Sequence, residues 1–136
     1  HTTVPEVPDS LVVKKDGDSR IYFELTYLYQ DQALGETQAR MAVAQMHDII
    51  TAEPQKKFTI LVKLAEQKEI TAALDENRAY MDIIMHKQVS RIAIVFDEAQ
   101  HSKSVTFIVN VFQKLTDKIR LFQKEEEAVV WLDEVS

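Results

Sequence analysis

Cysteine is absent from this chain, so disulfide staples, thiolate nucleophiles and cysteine-held metals are excluded from the outset. Glycine is almost as scarce. Only Gly17 and Gly35 occur among 136 residues, too few for a glycine-rich phosphate cradle, a dinucleotide fingerprint or a nucleophile elbow. Nucleotide-dependent and hydrolase chemistries lose their usual tools, and no cofactor is expected. No apolar run nears the roughly 18 to 20 residues that cross a bilayer, so no transmembrane segment is expected. Basic charge is the minority sign: 16 Lys and Arg face 22 Asp and Glu, a net charge of −6. A general phosphate-backbone binder needs a dense basic face, so nucleic acid is not an expected partner. The pairs Lys14-Lys15 and Lys56-Lys57 are isolated and read as solvated charges.

What is present is a globular composition, 46% hydrophobic and 28% charged, with length enough to bury a core. Two of the three prolines fall within Thr2–Ser10. Residues 1–10 are read as an N-terminal arm and 11–136 as a single domain. Leu11–Val13 is a short apolar run stopped by the turn chemistry of Asp16-Gly17-Asp18. From Arg20 to Tyr29 the chain alternates, with Ile21, Phe23, Leu25 and Tyr27 on one face, which predicts a strand hairpinned to the first. The period then changes. Ala39, Ala42, Val43, Met46, Ile49 and Ile50 recur at helical spacing within Leu34–Ala52, ahead of Pro54. Phe58–Leu64 is a compact buried strand. Thr71 suits the N-cap of a second helix running to about His86, with Leu74, Met81 and Met85 on one face. Arg91–Phe96 is the clearest buried strand. A third helix, capped by Ser102 or Ser104, runs to about Thr116 with Val105, Ile108, Val109, Phe112 and Leu115 as its buried stripe. Ile119–Phe122 is the last strand, and Glu125 opens a closing helix that buries Ala128, Trp131, Leu132 and Val135. The order β-β-α-β-α-β-α-β-α predicts an α/β domain with a mixed, mainly parallel sheet and an antiparallel edge.

Candidate sites follow from this order. His47, His86 and His101 sit on three separate elements, none in a metal-ligand spacing, so no metal is expected. His86 falls at a helix end, where an imidazolium complements the dipole, and His47 reads as a helix-surface residue. The loop after the fourth strand carries Asp97, His101, Ser102 and Ser104. In a parallel sheet the carboxyl ends of strands border the ligand crevice, and the next helix offers free N–H groups there. Glu66 and Thr71 lie along the same rim. These six residues are the candidate ligand or partner site, although helix capping is the plainer role for a serine at that place. An enzyme centred on Asp97, His101 and Ser102 lacks a readable base–nucleophile spacing and is not expected. On the third helix, Phe107 and Val111 add an i, i+4 apolar pair away from the buried stripe. Such a helix is either deeply packed or presents a second face to another subunit, an acyl chain or a partner protein.

Three segments carry a family resemblance: Arg91–Phe96 (Arg-Ile-Ala-Ile-Val-Phe), Lys118–Phe122 (Lys-Ile-Arg-Leu-Phe) and Glu125–Leu132 (Glu-Glu-Glu-Ala-Val-Val-Trp-Leu). Together they resemble the STAS / SpoIIAA-like superfamily, in particular its standalone bacterial STAS/SEC14-type domains. Ile70-Thr71 followed by Asn77-Arg78-Ala79-Tyr80 is similar to that family's second helix. The resemblance covers about residues 11–134. It implies a non-enzymatic binding or regulatory module of the cytoplasm, acting through protein contacts with a second copy or a regulatory partner. The SEC14-type label implies the alternative, a carrier or sensor of a lipid or other small apolar ligand held between the sheet and helices two and three. In the anti-anti-sigma branch a kinase phosphorylates a serine in an Asp-Ser-Ser-Gly-like loop at the start of the second helix. Leu64–Thr71 here holds neither that motif nor any serine, so the resemblance does not extend to that switch.

Overall fold

The computed structural model describes residues 3–65, 77–96 and 103–135. Strands β1 (Leu11–Lys15) and β2 (Arg20–Leu25) form an antiparallel hairpin. Its turn puts Gly17 at φ 89°, a conformation in which a side chain would be strained. Helix α1 (Gln32–Thr51) follows, started by the Asp31 carboxylate, which accepts the Leu34 N–H at 3.0 Å. Next come β3 (Phe58–Leu64), α2 (Met81–Ile84), β4 (Val89–Val95), α3 (Lys103–Leu115), β5 (Ile119–Phe122) and α4 (Glu125–Asp133). The five strands lie in chain order across one sheet, and every pair after the first hairpin is parallel. The expected mixed, mainly parallel α/β architecture is the observed one.

Alternation along the strands makes two cores. Ile21, Phe23, Ile60, Val62, Ile92 and Ile94 point to the face covered by α1, α2 and α3. The intervening Leu61 and Ala93 point to the opposite face, where α4 lays Ala128, Trp131 and Leu132. Stepping steadily across a sheet with crossovers of one hand puts successive crossover helices on one side. The closing helix has no further strand to lead to and takes the other.

Several boundaries differ from the sequence reading. Strand β2 stops at Leu25 rather than continuing to Tyr29, because the chain turns to dock the N-terminal stretch. Thr26 N–H donates to Ser10 O at 2.8 Å, and the Tyr29 hydroxyl donates to Pro5 O at 2.6 Å. Val7–Ser10 forms a 3-10 turn with Val7 and Ser10 buried, so this arm is packed into the fold. Met85 was expected on the apolar face of the second helix but is 56% exposed, while Ile83 and Ile84 are buried. A 3-10 turn at Arg78–Tyr80 precedes α2 and shifts the helical phase. Leu115 and Val135, both expected in buried stripes, are 56% and 43% exposed. Leu115 is the last residue of α3 and Val135 lies past the end of α4, so neither is held against a core.

Candidate functional site

An apolar recess lies between the sheet and helices α1, α2 and α3. Its floor is the inward row of the central strands, Ile60 and Val62 on β3 with Ile92 and Ile94 on β4. Parallel strands bring these β-branched side chains into register, since Ile60 pairs with Ile92 and Val62 with Ile94. The roof comes from Met46 on α1, Ile84 on α2, and Val109 and Phe112 on α3. Together they line an apolar chamber of about 140 Å³ that is partly open to the surface. Four polar side chains reach its wall: Tyr29, Gln38 from α1, Asn77, and Tyr80 from the turn before α2. The Gln38 amide nitrogen donates to Ser10 Oγ at 2.9 Å and Tyr27 O at 2.8 Å. The Tyr80 ring lies 5.9 Å from that of Phe23, and burial pushes its phenol above the ordinary value.

Of the residues singled out in the sequence, Glu66, Thr71, Asp97, His101 and Ser102 lie outside the described residues. Ser104 falls in the first turn of α3, described by its backbone alone. Phe107 is 63% exposed and Val111 partly buried, while Ile108, Val109 and Phe112 of the same helix are buried. One helix therefore roofs the chamber and carries apolar surface outward. Among the described residues, no group of three or more His, Asp or Glu side chains is arranged to hold a metal ion, and no helix is long and apolar enough to cross a membrane.

His86 does not act as the cation at the end of the second helix. Its Nδ1 accepts the Gln88 N–H at 3.1 Å, which requires that nitrogen to be unprotonated. Burial lowers its pKa, and His47, Lys87 and Lys118 lower it further. The His47 ring lies 5.7 Å away, edge-on. Lys118 takes the expected role instead, its ammonium donating to Ile84 O at 3.1 Å and His86 O at 3.0 Å. A folded-state pKa below the unfolded value means that the unfolded chain binds the proton first. The contribution of His86 to stability is therefore complete above the ordinary pKa of 6.5 and is lost as pH falls through the lower folded value. His86→Asn, which can keep an acceptor near Gln88 N–H, should flatten the decline in stability between about pH 7 and about pH 5. Urea unfolding at several pH values measures this, and an unchanged slope would refute it.

Gln38 and Tyr80 were not singled out as site residues from the sequence. One signal was available for Gln38: it stands one and two turns before Ala42 and Met46 on the apolar face of α1, an odd place for an amide. Tyr80 gave none, since its exposure to the chamber depends on the 3-10 turn.

The protein is thus an open α/β sheet covered on both faces, with an apolar recess under one layer of helices. Residues 25–133 match the SpoIIAA-like family model, and the chain belongs to the SpoIIAA-like family. Its fold and family are those of a non-catalytic regulatory or binding module. No curated protein and no solved structure matches the chain.

Proposed function

We propose that this module binds a small apolar molecule in the chamber between the sheet and helices α1 to α3. The observation that carries this reading is the chamber itself, about 140 Å³ walled mainly by aliphatic and aromatic side chains. Cavities of roughly this size and lining stay dry and admit a ring-sized guest such as benzene. Left unfilled, such a space costs on the order of 3 kcal/mol of stability, which a guest recovers in part. The volume suits one ring or a short chain rather than a whole diacyl lipid. A chain without cysteine suits a reducing compartment, and the proposal puts the module in the cytoplasm.

Titration with toluene, followed through the methyl resonances of Ile60, Ile92 and Ile94, tests the reading. Saturable shifts confined to chamber residues are expected. Val109→Phe, which fills the space from α3, should abolish them while the circular dichroism stays that of the folded protein. Absence of saturable shifts in the wild type would sink the proposal. A second reading, contact with a second copy or a regulatory protein through α3, is supported by Phe107 at 63% and Leu115 at 56% exposure. Sedimentation of the same samples bears on self-association, and a monomer at all concentrations and toluene loads would remove the second copy.

A further inference from the structure

We infer that the guest of this chamber carries a hydroxyl group on an otherwise apolar, ring-sized body, and that Tyr80 and Gln38 recognise that hydroxyl. This rests on the chamber-binding reading and narrows it. A purely apolar wall would accept any guest of the right size, but this wall contains two polar oxygens that lack partners among the described residues. Among the described residues the Tyr80 hydroxyl has no hydrogen-bond partner, while its ring meets that of Phe23. Gln38 is 4% exposed. Its amide nitrogen is occupied by Ser10 Oγ and Tyr27 O, while its Oε1 has no donor among the described residues. Buried polar atoms in folded proteins nearly always have a partner, so the buried Gln38 oxygen and the partly buried Tyr80 phenol on one wall mark where a guest's polar atom belongs.

The bonding capacities of the two groups complement a hydroxyl. The phenol donates one hydrogen bond and the amide oxygen only accepts. A guest hydroxyl therefore accepts from Tyr80 and donates to Gln38 Oε1. The amide cannot turn round to offer its nitrogen without giving up both of its existing hydrogen bonds, so the acceptor is fixed in place. Burial raises the Tyr80 pKa, which keeps the phenol protonated as a donor at neutral pH. Helix α1 packs against the turn that bears Tyr80, so the two groups stand on adjoining elements of the wall.

Calorimetric titration of the wild type and of Tyr80→Phe with p-cresol and toluene tests the inference, because the two probes differ by one hydroxyl. Tyr80→Phe preserves the ring and its packing on Phe23, and a thermal melt confirms that the variant is folded. The expected result is about a tenfold loss of p-cresol affinity in Tyr80→Phe, with toluene affinity changed by less than about twofold. Equal changes for the two probes, or no change in either, would overturn hydroxyl recognition while leaving the apolar chamber as a binding site. Failure of the wild type to bind either probe would overturn the chamber reading and this inference with it.

Discussion

Trp131→Ala should lower the free energy of unfolding by about 3–5 kcal/mol, the range for deleting a large buried aromatic. The effect belongs at the top of that range because the core beneath α4 is small. Its buried members are Leu61, Ala93, Ala128, Trp131 and Leu132, and two of these are alanines. Trp131 is 7% exposed and its ring lies 5.7 Å from that of Phe122. The Arg91 and Arg120 guanidinium carbons stand 4.6 Å and 5.1 Å from the centre of the indole ring. Arg91 also donates to Trp131 O at 2.7 Å and to Glu134 Oε1 at 2.8 Å, which satisfies and neutralises the end of α4. A helix of nine residues does not persist by itself in water, so α4 depends on this anchor. Trp131 is the sole tryptophan, so the variant is followed by circular dichroism in urea rather than by intrinsic fluorescence. Trp131→Phe should recover much of the loss. A cost below about 1 kcal/mol for the alanine variant would show that α4 is held by something else.

The second large effect is expected at a residue with no outward sign of importance. Gln88→Leu keeps the volume of a side chain that is 5% exposed but removes its amide. The Gln88 amide nitrogen lies 3.0 Å from Ile50 O and 2.9 Å from both Glu53 O and Lys56 O. The last carbonyls of a helix have no partner within it. Here an amide arriving from the start of β4 reaches Ile50 in the last turn of α1 and two carbonyls of the connection to β3. The main chain of Gln88 adds to the junction, since its carbonyl accepts the Phe58 N–H at 2.6 Å. Ile50 O and Glu53 O keep the Glu53 and Lys56 N–H groups at 3.2 Å and 3.0 Å, so the loss is that of the amide's own hydrogen bonds and should cost about 1–2 kcal/mol. The exposed ion pairs of Glu53 with Lys15 and Lys56 hold that carboxyl down at about 2, yet pairs so exposed offer little compensation. Denaturant unfolding gives the magnitude. Amide hydrogen exchange gives the location, with lost protection expected around Glu53–Phe58. A variant as stable as the wild type would show that the three carbonyls find other partners.

Legibility in the sequence followed local pattern. Phe58–Leu64 and Ile119–Phe122 are legible with their observed limits, the first because a strand buried on both faces is a compact apolar run with abrupt ends, the second as a short run between polar segments. Helix α1 was legible from its spacing, which a 20-residue helix repeats often enough to read. The errors lie where a local pattern met a tertiary contact. Tyr27 and Tyr29 continue the alternation of β2, but they turn toward each other, with ring centroids 5.1 Å apart, and Tyr29 binds the N-terminal stretch. Met85 lost its place to a 3-10 turn that no apolar spacing announces. The candidate rim was chosen from a rule about parallel sheets, whereas the chamber was legible only as a general space between sheet and helices.

By itself the sequence determined the order of elements, the class of sheet, the two-sided burial of β3 and β4, and the motifs that place the chain in its family. These are local quantities: period two or 3.6, turn chemistry, and the volume of consecutive side chains. Only the tertiary structure decided that Gln38 and Tyr80 share one apolar wall, that Gln88 closes the end of α1, and that Lys118 rather than His86 serves the end of α2. Each of these joins residues far apart in the chain through a hydrogen bond or a shared void. Neither leaves a periodic trace, because a single buried amide or phenol satisfies its bonding wherever the fold brings it.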